Sequence, residues 1–229
     1  MKTIGLIGGM SWESTAHYYS IINEAVKERC GGLHSAKCII YSVDFEEIEH
    51  LQSIGAWKQA GEILAMAAGS LEKAGADFLI ICTNTMHKVF DEIAQKVQIP
   101  ILHIADATAG EIKAAHIQKV GLLGTQYTME QDFYKSRLEQ AGINVMAPEE
   151  NDRKLINQVI YQELCLGKII PESRKQYQRI IGSLETQGAQ GIILGCTEIG
   201  LLIQQQHADI PLFDTTMIHA LKAVSYALE

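Results

Sequence analysis

A stretch of fourteen residues in this chain recurs 113 positions later, and this internal repeat constrains the fold more than any other feature. Leu71-Glu72-Lys73-Ala74-Gly75-Ala76-Asp77-Phe78-Leu79-Ile80-Ile81-Cys82-Thr83-Asn84 aligns with Leu184-Glu185-Thr186-Gln187-Gly188-Ala189-Gln190-Gly191-Ile192-Ile193-Leu194-Gly195-Cys196-Thr197. Two further segments are collinear with it. Ile4-Gly5-Leu6-Ile7-Gly8-Gly9-Met10-Ser11 resembles Val120-Gly121-Leu122-Leu123-Gly124-Thr125-Gln126-Tyr127, and Ile99-Pro100-Ile101-Leu102 resembles Ile210-Pro211-Leu212-Phe213. A duplication of this kind predicts two similar lobes related by a pseudo-twofold axis, with equivalent strand ends facing one cleft. Two opposed acid/base groups would then flank a single substrate carbon. The pair is unequal, because Thr83 falls where the second half carries Cys196.

Short runs of Ile, Leu and Val alternate with amphipathic stretches, the pattern of buried parallel strands joined by helices. Strands are predicted near 3–8, 37–43, 77–82, 100–103, 119–123, 144–146, 191–195 and 211–213. Helices are predicted over 14–29, 55–74, 85–96, 106–116, 129–141, 151–166, 171–187, 198–206 and 215–227. The expected fold is α/β: two pseudo-symmetric doubly wound lobes with mostly parallel sheets and an interlobe active site. The two Ile-Pro strands are taken as the points where the path changes lobe, which gives lobe one 1–98 plus 210–229 and lobe two 99–209.

Composition removes several classes of function. A formal charge of −8, without a run of Lys or Arg, offers nucleic acid no electrostatic footprint. No apolar run reaches membrane-spanning length. Cys30, Cys38, Cys82, Cys165 and Cys196 are odd in number and lack CxxC spacing, which argues against a disulfide framework or a zinc site. Reduced thiols in the cytoplasm fit that usage, and Met1-Lys2-Thr3 leads directly into a predicted strand rather than a secretion signal. Gly8-Gly9 falls short of the dinucleotide fingerprint, and no segment matches the P-loop pattern.

In an open parallel sheet, ligands bind beyond the carboxyl ends of the strands, where loops and helix N-termini supply donors. Four segments occupy such ends: Gly8-Gly9-Met10-Ser11, Cys82-Thr83-Asn84-Thr85, Gly124-Thr125-Gln126-Tyr127-Thr128 and Gly195-Cys196-Thr197-Glu198. Cys196 precedes a predicted helix, whose dipole and free N–H groups are expected to lower the thiol pKa and provide a base near neutral pH. Cys82 lies within an apolar strand and reads as inert. Thr83 can donate or relay a hydrogen bond but ionises far from neutrality, so it is a poor base. Ser11, Asn84, Thr85, Thr125, Thr128 and Thr197 offer donors for carboxylates, although helix caps and turns account for each singly. Lys168, after Gly167, either adds a positive charge to this set or is a solvated helix-terminal lysine. Glu198 would recognise a substrate ammonium or adjust the thiolate. His17 and His87 lack a second ligand at metal spacing and read as structural or supporting.

On Gly8-Gly9-Met10-Ser11-Trp12, Thr83-Asn84-Thr85-Met86-His87 and Gly195-Cys196-Thr197-Glu198, the chain resembles the aspartate/glutamate racemase family over nearly its whole length. Glu198 is similar to the aspartate racemase type. The resemblance implies cofactor-independent racemisation of a small dicarboxylic amino acid, commonly by a homodimer, with one cysteine on each face of the α-carbon. Cys196 matches the cysteine that acts on the L-enantiomer, and Thr83 stands at the position of the other. By the same similarity Met10, Ser11, Gln52, Asn84, Thr85, Thr125, Thr128, Lys168 and Thr197 are substrate-contact candidates. Without pyridoxal phosphate there is no electron sink, so donors aimed at the α-carboxylate must stabilise the carbanion. Two alternatives stay open: single-thiol chemistry similar to the arylmalonate decarboxylases of the same superfamily, and a noncatalytic amino-acid-binding protein.

Overall fold

The computed structural model describes residues 1–229 and divides the chain into two compact units, Met1–Ile104 with His219–Glu229, and Ala105–Ile218. The first holds β1 (Ile4–Gly8), β2 (Cys38–Ser42), β3 (Phe78–Ile81) and β4 (Ile101–Leu102), with α1 (Trp12–Cys30), α2 (Phe45–Ser53), α3 (Trp57–Lys73) and α4 (Phe90–Ala94). The second holds β5 (Lys119–Gly124), β6 (Asn144–Met146), β7 (Ile192–Gly195) and β8 (Leu212–Asp214). Its helices are α5 (Ile104–Ala114), α6 (Gln126–Glu130), α7 (Asp132–Gln140), α8 (Glu150–Gln162), α9 (Pro171–Thr186) and α10 (Ile199–Leu202), while α11 (Thr215–Leu228) returns the chain to the first unit.

Each unit is a four-stranded, wholly parallel sheet, in the orders β2-β1-β3-β4 and β6-β5-β7-β8. The strand pattern explains the layers. In β1 and β3, Ile7, Leu79 and Ile81 pack with Leu64, Ala68 and Leu71 of α3, while Ile4, Leu6, Phe78 and Ile80 pack with Ile22 and Val26 of α1 and Val224 of α11. Both faces are covered, which is why the strands read as continuous apolar runs. Burying each such side chain contributes about 1.5–3 kcal/mol relative to leaving it in water.

The duplication persists at atomic detail. A Cβ at Gly5 would collide with Leu79 and Ala76, and one at Gly121 with Ile192 and Leu184, so helix and strand approach closely only because both positions lack a side chain. Gly75 and Gly188 end α3 and α9 at φ 97° and 95°, and their N–H groups donate to Glu72 O and Glu185 O at 3.0 and 2.8 Å. Asp77 Oδ2 accepts from Thr3 N at 2.6 Å, and Gln190 Oε1 accepts from Gln118 N at 3.0 Å, so the side chain just before each third strand pins the start of the first.

The eight expected strands all form. The lobe boundary lies elsewhere: β4 pairs with β3, and β8 pairs with β7, so each Ile-Pro strand completes the sheet it follows rather than opening the next. The crossings fall at Ile104 and Ile218 instead. Four expected helices are broken. Residues 85–96 form a 3-10 turn, Thr85–Val89, before α4; Gln131 is extended between α6 and α7; a 3-10 turn, Leu164–Leu166, follows α8; and extended Ile203 stops α10 after one turn. α2 is an addition, capped by Asp44 accepting from Glu46 N at 3.2 Å. Its nine residues carry three glutamates, and only the Phe45, Ile48, Leu51 spacing marks an apolar face.

Candidate active site

At the carboxyl edge of the first sheet, Gly9 turns the chain at φ 93°, where a Cβ would run into the backbone of Val43. Ser11 caps α1, accepting from Ser14 N at 3.2 Å. Thr15 Oγ1 accepts from Gly9 N at 2.8 Å and donates to Ser11 O at 2.9 Å, fixing the turn from inside the helix. Met10 packs its side chain into the apolar cluster around Ile7, Ile48 and Met86. Beside this turn β3 ends in Cys82 and Thr83. Cys82 is fully buried, and burial pushes its thiol far up, so it is an inert core residue as expected.

Thr83 is buried and tied down at both backbone groups: its N–H donates to Ile81 O at 2.9 Å, and its carbonyl accepts from His87 Nδ1 at 2.8 Å. Asn84 makes no side-chain cap bond to the following turn. Asn84 and Thr85 are both buried. Gln52, on the helix the sequence did not reveal, points Nε2 at Met86 Sδ, 3.0 Å away, so α2 is connected to the Thr85–Val89 turn.

In the second unit, Thr125 caps α6, accepting from Thr128 N at 3.3 Å with its hydroxyl 3.1 Å from that of Thr128. A Cβ at Gly124 would meet Gly195 O and Thr128, so the ends of β5 and β7 stand in close contact. Beyond Gly195, Cys196 Sγ donates to Glu198 Oε2 at 3.1 Å, and Thr197 Oγ1 donates to the same oxygen at 2.7 Å. All three residues are buried. Lys168 is exposed on the turn after Gly167, where its main-chain N–H donates to Glu163 O at 2.9 Å.

The expected lowering of the Cys196 pKa is reversed. Burial, then the negative charge and hydrogen bonding of Glu198, hold the thiol well above its ordinary value. The helix that follows has four residues, and its dipole, at most about half a charge and felt only within a turn, is outweighed by a full carboxylate charge at 3.1 Å. The chemical unit is therefore a thiol paired with a carboxylate, able to pass the proton between sulfur and Oε2, rather than a free thiolate.

Sequence reasoning missed two features. Tyr177 of α9 is buried, and its phenol is pushed well up by that burial first and then by the charges of Cys196, Glu163 and Cys165; its hydroxyl donates to Ile156 O at 3.2 Å. Behind Thr83, the rings of His87 and His103 lie 4.3 Å apart and those of His87 and His219 6.1 Å apart. His219 Nε2 sits 3.0 Å from Leu102 O and Nδ1 3.0 Å from Tyr18 Oη, and burial lowers its pKa to about 4. Of the three, the sequence singled out His87, read as structural or supporting; His103 just before α5 and His219 inside α11 carried no signal.

The Asp/Glu/Hydantoin racemase family model matches residues 7–223. A crystal structure of a candidate Asp/Glu racemase from Yersinia pestis is 59% identical, covers 100% of both chains and superposes with a TM-score of 0.93. An aspartate racemase homologue from Pyrococcus horikoshii OT3 is 38% identical over 100% of both chains, with a TM-score of 0.87. The broad specificity amino-acid racemase RacX of Bacillus subtilis (strain 168) is 26% identical, covering 97% of this chain and 96% of its own.

Proposed function

The chain belongs to the Asp/Glu/Hydantoin racemase family and is an isomerase; from that premise we propose that it inverts the α-carbon of aspartate or glutamate without a cofactor, working more readily from the L-enantiomer. The observation that carries this reading is the Cys196–Glu198 pair at a strand end whose repeat equivalent bears Thr83. Glu198 takes the proton from Cys196, and the thiolate removes the α-proton of the L-substrate. The hydroxyl and amide groups of Ser11, Asn84, Thr85, Thr125, Thr128 and Thr197, with Gln52, Lys168 and the main chain at Met10, hold the carboxylates and take up the charge that develops as the carbanion forms. A carboxylate with no electron sink needs such donors, because nothing else lowers the barrier to α-proton loss.

Inversion requires a proton from the opposite face, since one base acting alone returns its proton with retention. Thr83 supplies that proton as a relay from solvent, and slowly, because a hydroxyl is a far weaker acid than a thiol. The protein acts as a homodimer in the cytoplasm, a compartment consistent with its five free cysteines.

The experiment is solvent-deuterium incorporation with chiral product analysis, starting from each enantiomer of aspartate and glutamate, on protein treated with chelator and dialysed. Deuterium enters the L-substrate and the D-product accumulates; Cys196→Ala loses both. Exchange and inversion that persist in Cys196→Ala overturn the reading. The substitution of Thr83 for a thiol favours one other chemistry, decarboxylation of a malonate with protonation by Cys196 alone. Release of carbon dioxide from an aryl malonate, without exchange of any amino acid, would replace racemisation with that reaction.

A further inference from the structure

The second proton step falls to a hydroxyl, which has little intrinsic acidity to offer, so its placement carries more of the burden than it would for a thiol. The structure holds that placement through an imidazole. His87 Nε2 lies 3.2 Å from the main-chain N–H of Ile104, a group that can only donate, so Nε2 is the unprotonated acceptor. The single proton of the neutral ring is then on Nδ1, which donates to Thr83 O at 2.8 Å. With Thr83 N–H committed to Ile81 O, both backbone groups of the residue are fixed. The ring itself cannot turn freely, because Phe90 stacks on it at 9° between planes, and His103 and His219 close two other sides. His219 is locked in its own tautomer: Nε2 faces the Leu102 carbonyl and must donate, leaving Nδ1 to accept from the Tyr18 hydroxyl.

We propose that His87, in its Nδ1-protonated form, is the positioning residue that fixes the Thr83 strand end, and with it the hydroxyl, for the proton transfer that completes inversion. His87 does not act as the acid itself, since both ring nitrogens are occupied by main-chain groups. The proposal rests on racemisation being the reaction of this site. It separates the two half-reactions: exchange of the L-substrate's α-proton needs the Cys196–Glu198 pair, whereas appearance of the D-enantiomer needs Thr83 as well.

Two isosteric variants divide the ring's hydrogen bonds. His87→Asn places an amide N–H near the position of Nδ1 and keeps the donor to Thr83 O, while His87→Gln reaches towards Ile104 and loses that donor. In wild type and both variants, deuterium exchange into the L-substrate and KM stay within about twofold. Inversion in His87→Asn stays within about threefold of wild type, and in His87→Gln it falls by about tenfold or more, the scale expected when a reacting group is misplaced. Equal inversion by His87→Gln and wild type overturns the proposal, and so does an equal loss in the two variants, which would assign the ring a packing role. If either variant fails to fold, nitrogen-15 NMR of histidine-labelled wild type decides: a pyrrole-type Nδ1 and pyridine-type Nε2 support it, and the reverse tautomer overturns it. Absence of exchange and inversion in wild type would instead refute the racemase reading, leaving the tautomer measurement to stand alone.

Discussion

Cys196 shows how surroundings decide the chemistry of a side chain. Its place after a strand and before a helix suggests an acidic thiol, but burial, and then the charge of Glu198 two residues on, reverse the sign. Glu198→Gln therefore has two opposed consequences. Removing the carboxylate charge lets the thiol ionise more easily, so the pH at which a neutral haloacetamide alkylates Cys196 in the folded protein shifts downward. The amide cannot accept the proton, so inversion near neutral pH falls by about 10²-fold or more, as for loss of a positioned general base. Alkylation and chiral product assays on the same preparation check both. An activity that follows the extent of thiol ionisation alone, rising in the variant, would remove Glu198 from the proton path. Thr197, which shares Oε2, orients the carboxylate rather than acting as an independent cap.

The elements carry their own predictions. Gly75 and Gly188 close α3 and α9 with positive φ, which costs an L-residue about 1–2 kcal/mol. Gly75→Ala and Gly188→Ala should each lower stability by about that amount, and urea unfolding measures it; nothing lies within 4 Å of a Cβ at Gly75, so there the cost is conformational rather than steric. In α11, His219 is fully buried with its pKa depressed to about 4 from the ordinary 6.5. The unfolded chain then binds more protons between these values, so stability is complete above about pH 6.5 and is lost as pH falls towards 4, by up to about 3 kcal/mol. His219→Gln should flatten that part of the stability profile measured by urea unfolding at successive pH values. A profile unchanged between wild type and variant would mean that another group titrates there. Of the broken helices, the Thr85–Val89 turn stands where His87 reaches back to Thr83 O, and no 3.6-residue periodicity reports that bond.

At the scale of the molecule, two copies of one sheet carry unequal strand ends, and Thr83→Cys restores the match. Under the proposed reaction it should raise turnover, most visibly from the D-enantiomer, whose α-proton would leave towards position 83. The equilibrium constant of racemisation is one, so kcat/KM must rise equally in both directions on a reversible path, however kcat and KM divide. Deuterium incorporation and chiral analysis from both enantiomers measure this. A folded Thr83→Cys protein with unchanged exchange and inversion of the D-substrate would dissociate position 83 from the second proton step.

The α/β class, the eight strands and the duplication were legible in the chain itself. These depend on local regularities: apolar runs long enough to be buried strands, glycines where helix and strand must touch, and a repeat that places Thr83 opposite Cys196 in alignment. Tertiary structure alone decided which sheet each Ile-Pro strand joins, since edge pairing depends on hydrogen bonds between distant segments such as Leu79 and Ile101. It also decided the sign of the Cys196 shift, which depends on the direction of one carboxylate and on exclusion from water. The sequence read His87 as structural or supporting but not the cluster around it, because Tyr18, His87, Leu102 and His219 meet only when four segments of the chain fold together, and a tautomer is set by what each nitrogen then faces.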